Sequence, residues 1–107
     1  MSYPIAPPPP DRATMGIDAV IDLSRSVAVS DFRAVRRSGM LGVIHKATEG
    51  GDYLDTAYAG RRPQAEAAGL LWGAYHFGTG QTSGARQAAY FLSVARPGPR
   101  TLLALDL

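Results

Sequence analysis

Apolar residues fall in four short runs, separated by polar stretches with helical signals. Residues 19–23 read AVIDL, 40–44 MLGVI, 70–77 LLWGAYHF and 101–105 TLLAL. Each run is continuously apolar instead of alternating, as expected of parallel strands covered on both faces. The intervals leave room for a helical crossover each time. Ser30 and Asp31 can cap a helix through Ser38, with Phe32 and Val35 three apart and Gly39 as terminator. Residues 45–51, HKATEGG, read as a loop. Asp55 can cap a helix over 56–68, closed by Gly69; Pro63 inside it predicts a kink, or two short helices meeting near Arg62. Ser83 precedes a helix through Ala95 with Ala88, Phe91 and Leu92 along one side, and Pro97-Gly98-Pro99 stops it. The order is β-α-β-α-β-α-β: an α/β chain with about four parallel strands and three crossover helices. Two stretches, SGMLGVIHKA and AGLLWGAYHF, run alike from a helix-ending glycine through a strand to a histidine. So short a match reads as convergent architecture.

Residues 1–14, MSYPIAPPPPDRAT, sit outside this alternation. Four consecutive prolines favour an extended polyproline segment. The basic start and apolar stretch of a secretory signal are missing, so 1–14 reads as a disordered Pro-rich leader and 15–107 as the folded part. A chain of 107 residues, 46% hydrophobic and 19% charged, has room for one globular domain. No apolar run approaches the ~20 residues of a spanning helix, so membrane insertion is not expected. The absence of cysteine excludes disulfides, thiolate metal sites and a cysteine nucleophile. Ten arginines and one lysine stand against nine acidic residues, for a net charge of +2. That balance is too mild and dispersed to indicate nucleic-acid binding.

Parallel α/β folds gather their sites where the strands end. Those ends carry Asp22, then His45, Lys46 and Glu49, then Tyr75 and His76, then Asp106. Asp22 and Asp106 each lie between apolar neighbours, where an ionised carboxylate is costly unless partnered or functional. Acidic groups brought together from separate strands suit glycoside hydrolysis. Each residue also has a plainer reading. The two aspartates can cap turns, the histidines can be satisfied core residues, and Lys46 and Glu49 can form a surface ion pair. Trp72 and Phe77 read as packing, whereas Tyr75 can pack its ring and present its hydroxyl. Two histidines and no cysteine make a metal site unexpected. The glycine clusters lack the GxxxxGK[ST] and GxGxxG spacings of phosphate loops.

The ordered series VIDLS, VIHKATEGGDYLD, AAGLLWGAYHFGTG and AAYFLSVARPGPRTLLALDL resembles the glycoside hydrolase family 25 lysozymes over residues 19–107. The resemblance implies an irregular β/α barrel roughly twice as long as this chain. It implies cleavage of the β-1,4 bond between N-acetylmuramic acid and N-acetylglucosamine in peptidoglycan, without metal or other cofactor. Asp22 matches the carboxylate on the family's first strand, and Asp106 the Asp of its Asp-x-Glu pair. Glu49, Tyr75 and the nearby Lys46 match the lining of the substrate groove. In that family the Glu of the pair is taken as general acid, and its Asp partner is thought to assist attack by the substrate's own N-acetyl group.

Two departures stand out. Arg25-Ser26 follow the first motif where His or an aromatic is common, and the sequence stops at Leu107, one residue before the expected Glu. The chain is therefore expected to be the N-terminal half of a family 25 domain, inactive alone. The expected partners are peptidoglycan strands at the bacterial cell wall, reached by secretion or at lysis. The rival readings are a non-catalytic wall-binding module, drawn by mild positive charge, and a small doubly-wound domain holding a phosphorylated ligand at helix N-termini.

Overall fold

The computed structural model describes residues 19–107; the Pro-rich segment 1–14 lies outside the described residues. The elements are β1 (Val20–Leu23), α1 (Phe32–Arg37), β2 (Gly42–Glu49), β3 (Tyr53–Leu54), α2 (Tyr58–Ala67), β4 (Leu71–Phe77), α3 (Gly84–Ala95) and β5 (Leu102–Asp106). Strands β1, β2, β4 and β5 lie side by side in that order, parallel throughout, and β3 pairs antiparallel with β2. The order advances in one direction. It has no reversal of the kind that marks a doubly-wound sheet. Right-handed crossovers of such a series place the helices on one face. No helix among the described residues is long and apolar enough to cross a membrane.

Local signals act where expected at several ends. Asp31 caps α1, its Oδ1 accepting from the Arg33 N–H at 2.9 Å, and Ser83 caps α3 through the Arg86 N–H. Gly39 and Gly69, which open the two similar stretches, take φ of 106° and 88° after α1 and α2. This left-handed turn admits glycine at little cost and returns the chain into the next strand.

Other expectations need correction. The stretch 45–51 is no simple loop: β2 runs on to Glu49, because β4 pairs with it that far and β3 folds back on Thr48 and Glu49. The 56–68 helix begins at Tyr58 and continues through Pro63 as one element. Tertiary ties hold it. Arg61 and Arg62 bond the loop before α1 and the end of α3, while within the helix the Gln64 side chain donates to the Gly60 carbonyl. The inward side of α3 is Gln87, Phe91 and Ala95, whereas Ala88 and Leu92 are exposed. The sheet is covered on one face only among the described residues. Leu23, Val43, His45, Ala47, Trp72, Ala74 and His76 alternate onto that face and pack with Phe32, Tyr58, Ala65, Phe91 and Ala95 from the helices. Val20 and Leu102, on the opposite face, are half exposed. Apolar side chains on both faces suit strands whose second face turns inward in a barrel.

Two polar anchors fix the ends of the sheet. The Gln87 side-chain nitrogen donates to the Thr79 and Thr82 carbonyls, each at 2.7 Å. Its oxygen therefore accepts from His76 Nε2 at 2.8 Å and from the Thr79 N–H at 3.2 Å. With Nε2 protonated, His76 Nδ1 accepts from the Thr48 hydroxyl at 2.8 Å. The second anchor is Asp55, 1% exposed. Its carboxylate accepts from the Arg25 N–H and the Ala57 N–H, both at 2.9 Å, and so joins the loop after β1 to the start of α2. Arg61 reinforces that joint, donating to the Ser24 carbonyl at 3.1 Å and the Val27 carbonyl at 2.8 Å.

Gln87→Leu keeps the volume but strips partners from His76 and from the backbone of Thr79 and Thr82. A loss of about 3 kcal/mol is expected in urea unfolding. Asp55→Ala orphans two backbone N–H groups and is expected to cost a similar ~3 kcal/mol by the same measurement.

Candidate active site

Side chains alternate across a strand, so the residues between the core positions face the open side. β1 contributes Asp22, beside Ile44 of β2; Lys46 of β2 lies beside Tyr75 of β4, and Tyr75 beside Ala104 of β5. Asp106, at the end of β5, lies opposite Phe77. Asp22, Ile44, Tyr75, Ala104, Leu105 and Asp106 line one groove of about 360 Å³ at the C-terminal ends of the strands. The two aspartates sit three strand spacings apart, and Asp106 lies further along β5 than Leu102, the position level with Asp22, so they are about 20 Å apart along a flat sheet. Curling of the sheet lets one groove touch both. Neither is buried among its apolar neighbours; both are exposed.

Tyr75 lies between them. Burial pushes its phenol up, Lys46 opposes, and the charges of Asp22, Asp106 and Asp55 push it further, to a net rise above the ordinary tyrosine range. The hydroxyl is thus a standing hydrogen-bond donor.

Lys46 and Glu49 form a half-buried ion pair. Residues three apart in a regular strand face opposite ways. Here the pairing of β2 with β4 shifts between Lys46 and Thr48. The bulge buries both Ala47 and Thr48 and returns Glu49 to the side of Lys46. Burial alone would lower the lysine's pKa; hydrogen bond and charge from Glu49 outweigh it, and the pKa is raised. The ammonium also lies 5.0 Å from the Tyr53 ring centre and 5.3 Å from that of Phe77. Phe77, read from sequence as packing, is therefore partly exposed against this cation. On the other side of the rim, the Arg25 guanidinium carbon sits 5.7 Å from the Tyr53 ring centre.

The remaining candidates face the core. His45 is fully buried and stacks on Trp72 with ring centres 5.6 Å apart. Arg61 donates to its Nε2 at 3.1 Å, so Nδ1 carries the proton and donates to the Lys46 carbonyl at 2.8 Å. Burial is the largest cause pushing this imidazole down, opposed by that carbonyl and Asp55 and aided by Arg61. His45 is a neutral structural residue; His76 is a buried structural residue held by Thr48 and Gln87. Trp72 packs, with its indole N–H buried and without a hydrogen-bond partner among the described residues. No group of three or more His, Cys, Asp or Glu among the described residues is arranged to hold a metal ion.

Sequence reasoning carried Tyr53 only within the VIHKATEGGDYLD series, not as a partner of Lys46 and Arg25, and missed Arg61 and Gln87. The β2–β3 hairpin, closed by Gly50, Gly51 and Asp52, brings Tyr53 back to Lys46. Arg61 and Gln87 are polar residues that hydrophobic periodicity does not count.

Comparison with known proteins adds independent observations. The family model described as glycosyl hydrolases family 25 matches residues 21–107. Lysozyme M1 of Streptomyces globisporus is 37% identical over 81 residues, which are 75% of this chain and 27% of that protein. A family GH25 lysozyme from Aspergillus fumigatus superimposes with a TM-score of 0.75 at 35% identity, over 80% of this chain and 44% of the other. The bacterial lysozyme from Streptomyces coelicolor does so with a TM-score of 0.74 at 35% identity, over 80% and 42%. The chain thus spans less than half the length of each of these relatives. A match over nearly all described residues, joined to the one-directional strand order, places this chain in glycosyl hydrolase family 25.

Proposed function

We propose that the full-length protein is a peptidoglycan hydrolase, an N-acetylmuramidase cleaving the β-1,4 bond between N-acetylmuramic acid and N-acetylglucosamine. The observation that carries this reading is the shared groove of Asp22, Tyr75 and Asp106. The lysozyme names of the similar proteins support it. Substrate glycan lies across the strand ends with its scissile bond over Asp106. That carboxylate orients the N-acetyl group, whose carbonyl oxygen attacks the anomeric carbon as the glycosidic bond breaks. The family resemblance implies that a glutamate two positions after this aspartate donates the proton to the leaving oxygen. Two positions along one strand, it emerges on the same face as Asp106, about 6.6 Å away. Like charge nearby keeps such an acid protonated near neutrality. Water then opens the cyclised intermediate, returning a proton to the glutamate. Asp22 adds negative charge across the groove from the positively charged sugar ring of the transition state. The Tyr75 hydroxyl donates to substrate oxygen, and the Lys46–Glu49 pair borders the groove.

Release of reducing ends from purified peptidoglycan by the full-length protein tests this. No release, where a known muramidase works, overturns it. Asp22→Asn and Asp106→Asn are each expected to lower kcat/KM by about 10²-fold or more with unchanged thermal unfolding. Tyr75→Phe is expected to lose about tenfold in the same assay, the scale of one hydrogen bond to substrate.

A further inference from the structure

We infer that Arg25 is a specificity-determining residue at the β1 edge of this groove, binding a carboxylate carried by the bound glycan. The inference rests on the muramidase reading and deepens it. The backbone of Arg25 is fixed on both sides. Its own N–H is held by Asp55, and the carbonyls of Ser24 and Val27 are held by Arg61. The loop is therefore pre-organised, and little order remains to be imposed on it when substrate binds.

The side chain is exposed and has no carboxylate partner among the described residues. Its aromatic neighbour Tyr53 also meets Lys46, which lies beside the groove residue Tyr75. The guanidinium rests against the Tyr53 ring, within the range of a cation–π contact. The same ring takes the Lys46 ammonium. Of these two cations Lys46 is neutralised by Glu49, and Asp55 spends its oxygens on backbone N–H groups. Arg25 thus holds the uncommitted charge at this rim, three residues beyond Asp22. A planar guanidinium fork matches a carboxylate with two parallel hydrogen bonds. Muramic acid offers that chemistry from two sources: the lactyl carboxylate where no peptide is attached, and the carboxylates of an attached peptide.

The test uses the full-length protein, Arg25→Gln and Arg25→Lys. The substrates are peptide-free glycan with free lactyl carboxylates, peptide-bearing glycan, and both after conversion of carboxylates to neutral amides. Arg25→Gln is expected to raise KM about tenfold on a carboxylate-bearing glycan while kcat moves less than about twofold. The difference from wild type should vanish on the amidated substrates and shrink in high salt. Arg25→Lys should recover part of the loss, since it restores charge without the fork. A defect on peptide-free glycan assigns the lactyl carboxylate; a defect on peptide-bearing glycan alone assigns the peptide. Equal KM for Arg25→Gln and wild type on both carboxylate-bearing substrates overturns the inference, as does an equal loss on the amidated ones. In either case the muramidase reading stands. A wild-type protein inactive on every substrate removes that reading and this one with it.

Discussion

The two-residue period of a strand, applied to parallel strands with helices on one side only, governs both core and groove. Every second side chain of β2 and β4 goes under the helices: Val43, His45 and Ala47 from one, Trp72, Ala74 and His76 from the other. Their neighbours face the groove. Function can vary on one face while packing holds the other, because the same backbone serves both. The exception proves how strict the rule is. Lys46 and Glu49 meet only because an extra residue enters β2 between them and resets the phase.

Much of this was legible in the residues themselves. Capping side chains, helix-ending glycines and continuous apolar runs located the helices and the four parallel strands to within a few positions. The collection of Asp22, Lys46, Tyr75 and Asp106 at the strand ends followed from that count. What was illegible has a common cause. Residues 45–49 look polar and loop-like, yet His45 and Thr48 are fully buried because Arg61 and His76 satisfy them. Gln87 takes a core position for its two-ended amide and pushes the expected Ala88 and Leu92 outward. Single-sequence patterns register apolarity, whereas these positions are decided by hydrogen-bond partners on other elements and loops.

The histidines illustrate the same point at nearly equivalent places on β2 and β4. Each lies one residue from a groove-facing residue, Lys46 or Tyr75, and each faces inward. His45 is stacked on an aromatic ring and held by Arg61; His76 is held by a hydroxyl and an amide. Residues that look catalytic by type thus act as struts beneath the groove, and the aspartates with no buried partner stand at its surface.

Helix α2 carries adjacent arginines that reach opposite ways. Arg61 grips the loop after β1, and Arg62 donates to the carbonyls of Ala95 and Arg96 and to the Thr101 hydroxyl, at the entrance to β5. One turn of helix in the middle of the chain therefore braces its first and last strands, across sequence separations of 33 to 39 residues. The edge strands that bear Asp22 and Asp106 share this strut, so loosening it would relax both sides of the groove together. Alignment of the two carboxylates is thus tied to the integrity of a segment whose bonds reach neither of them.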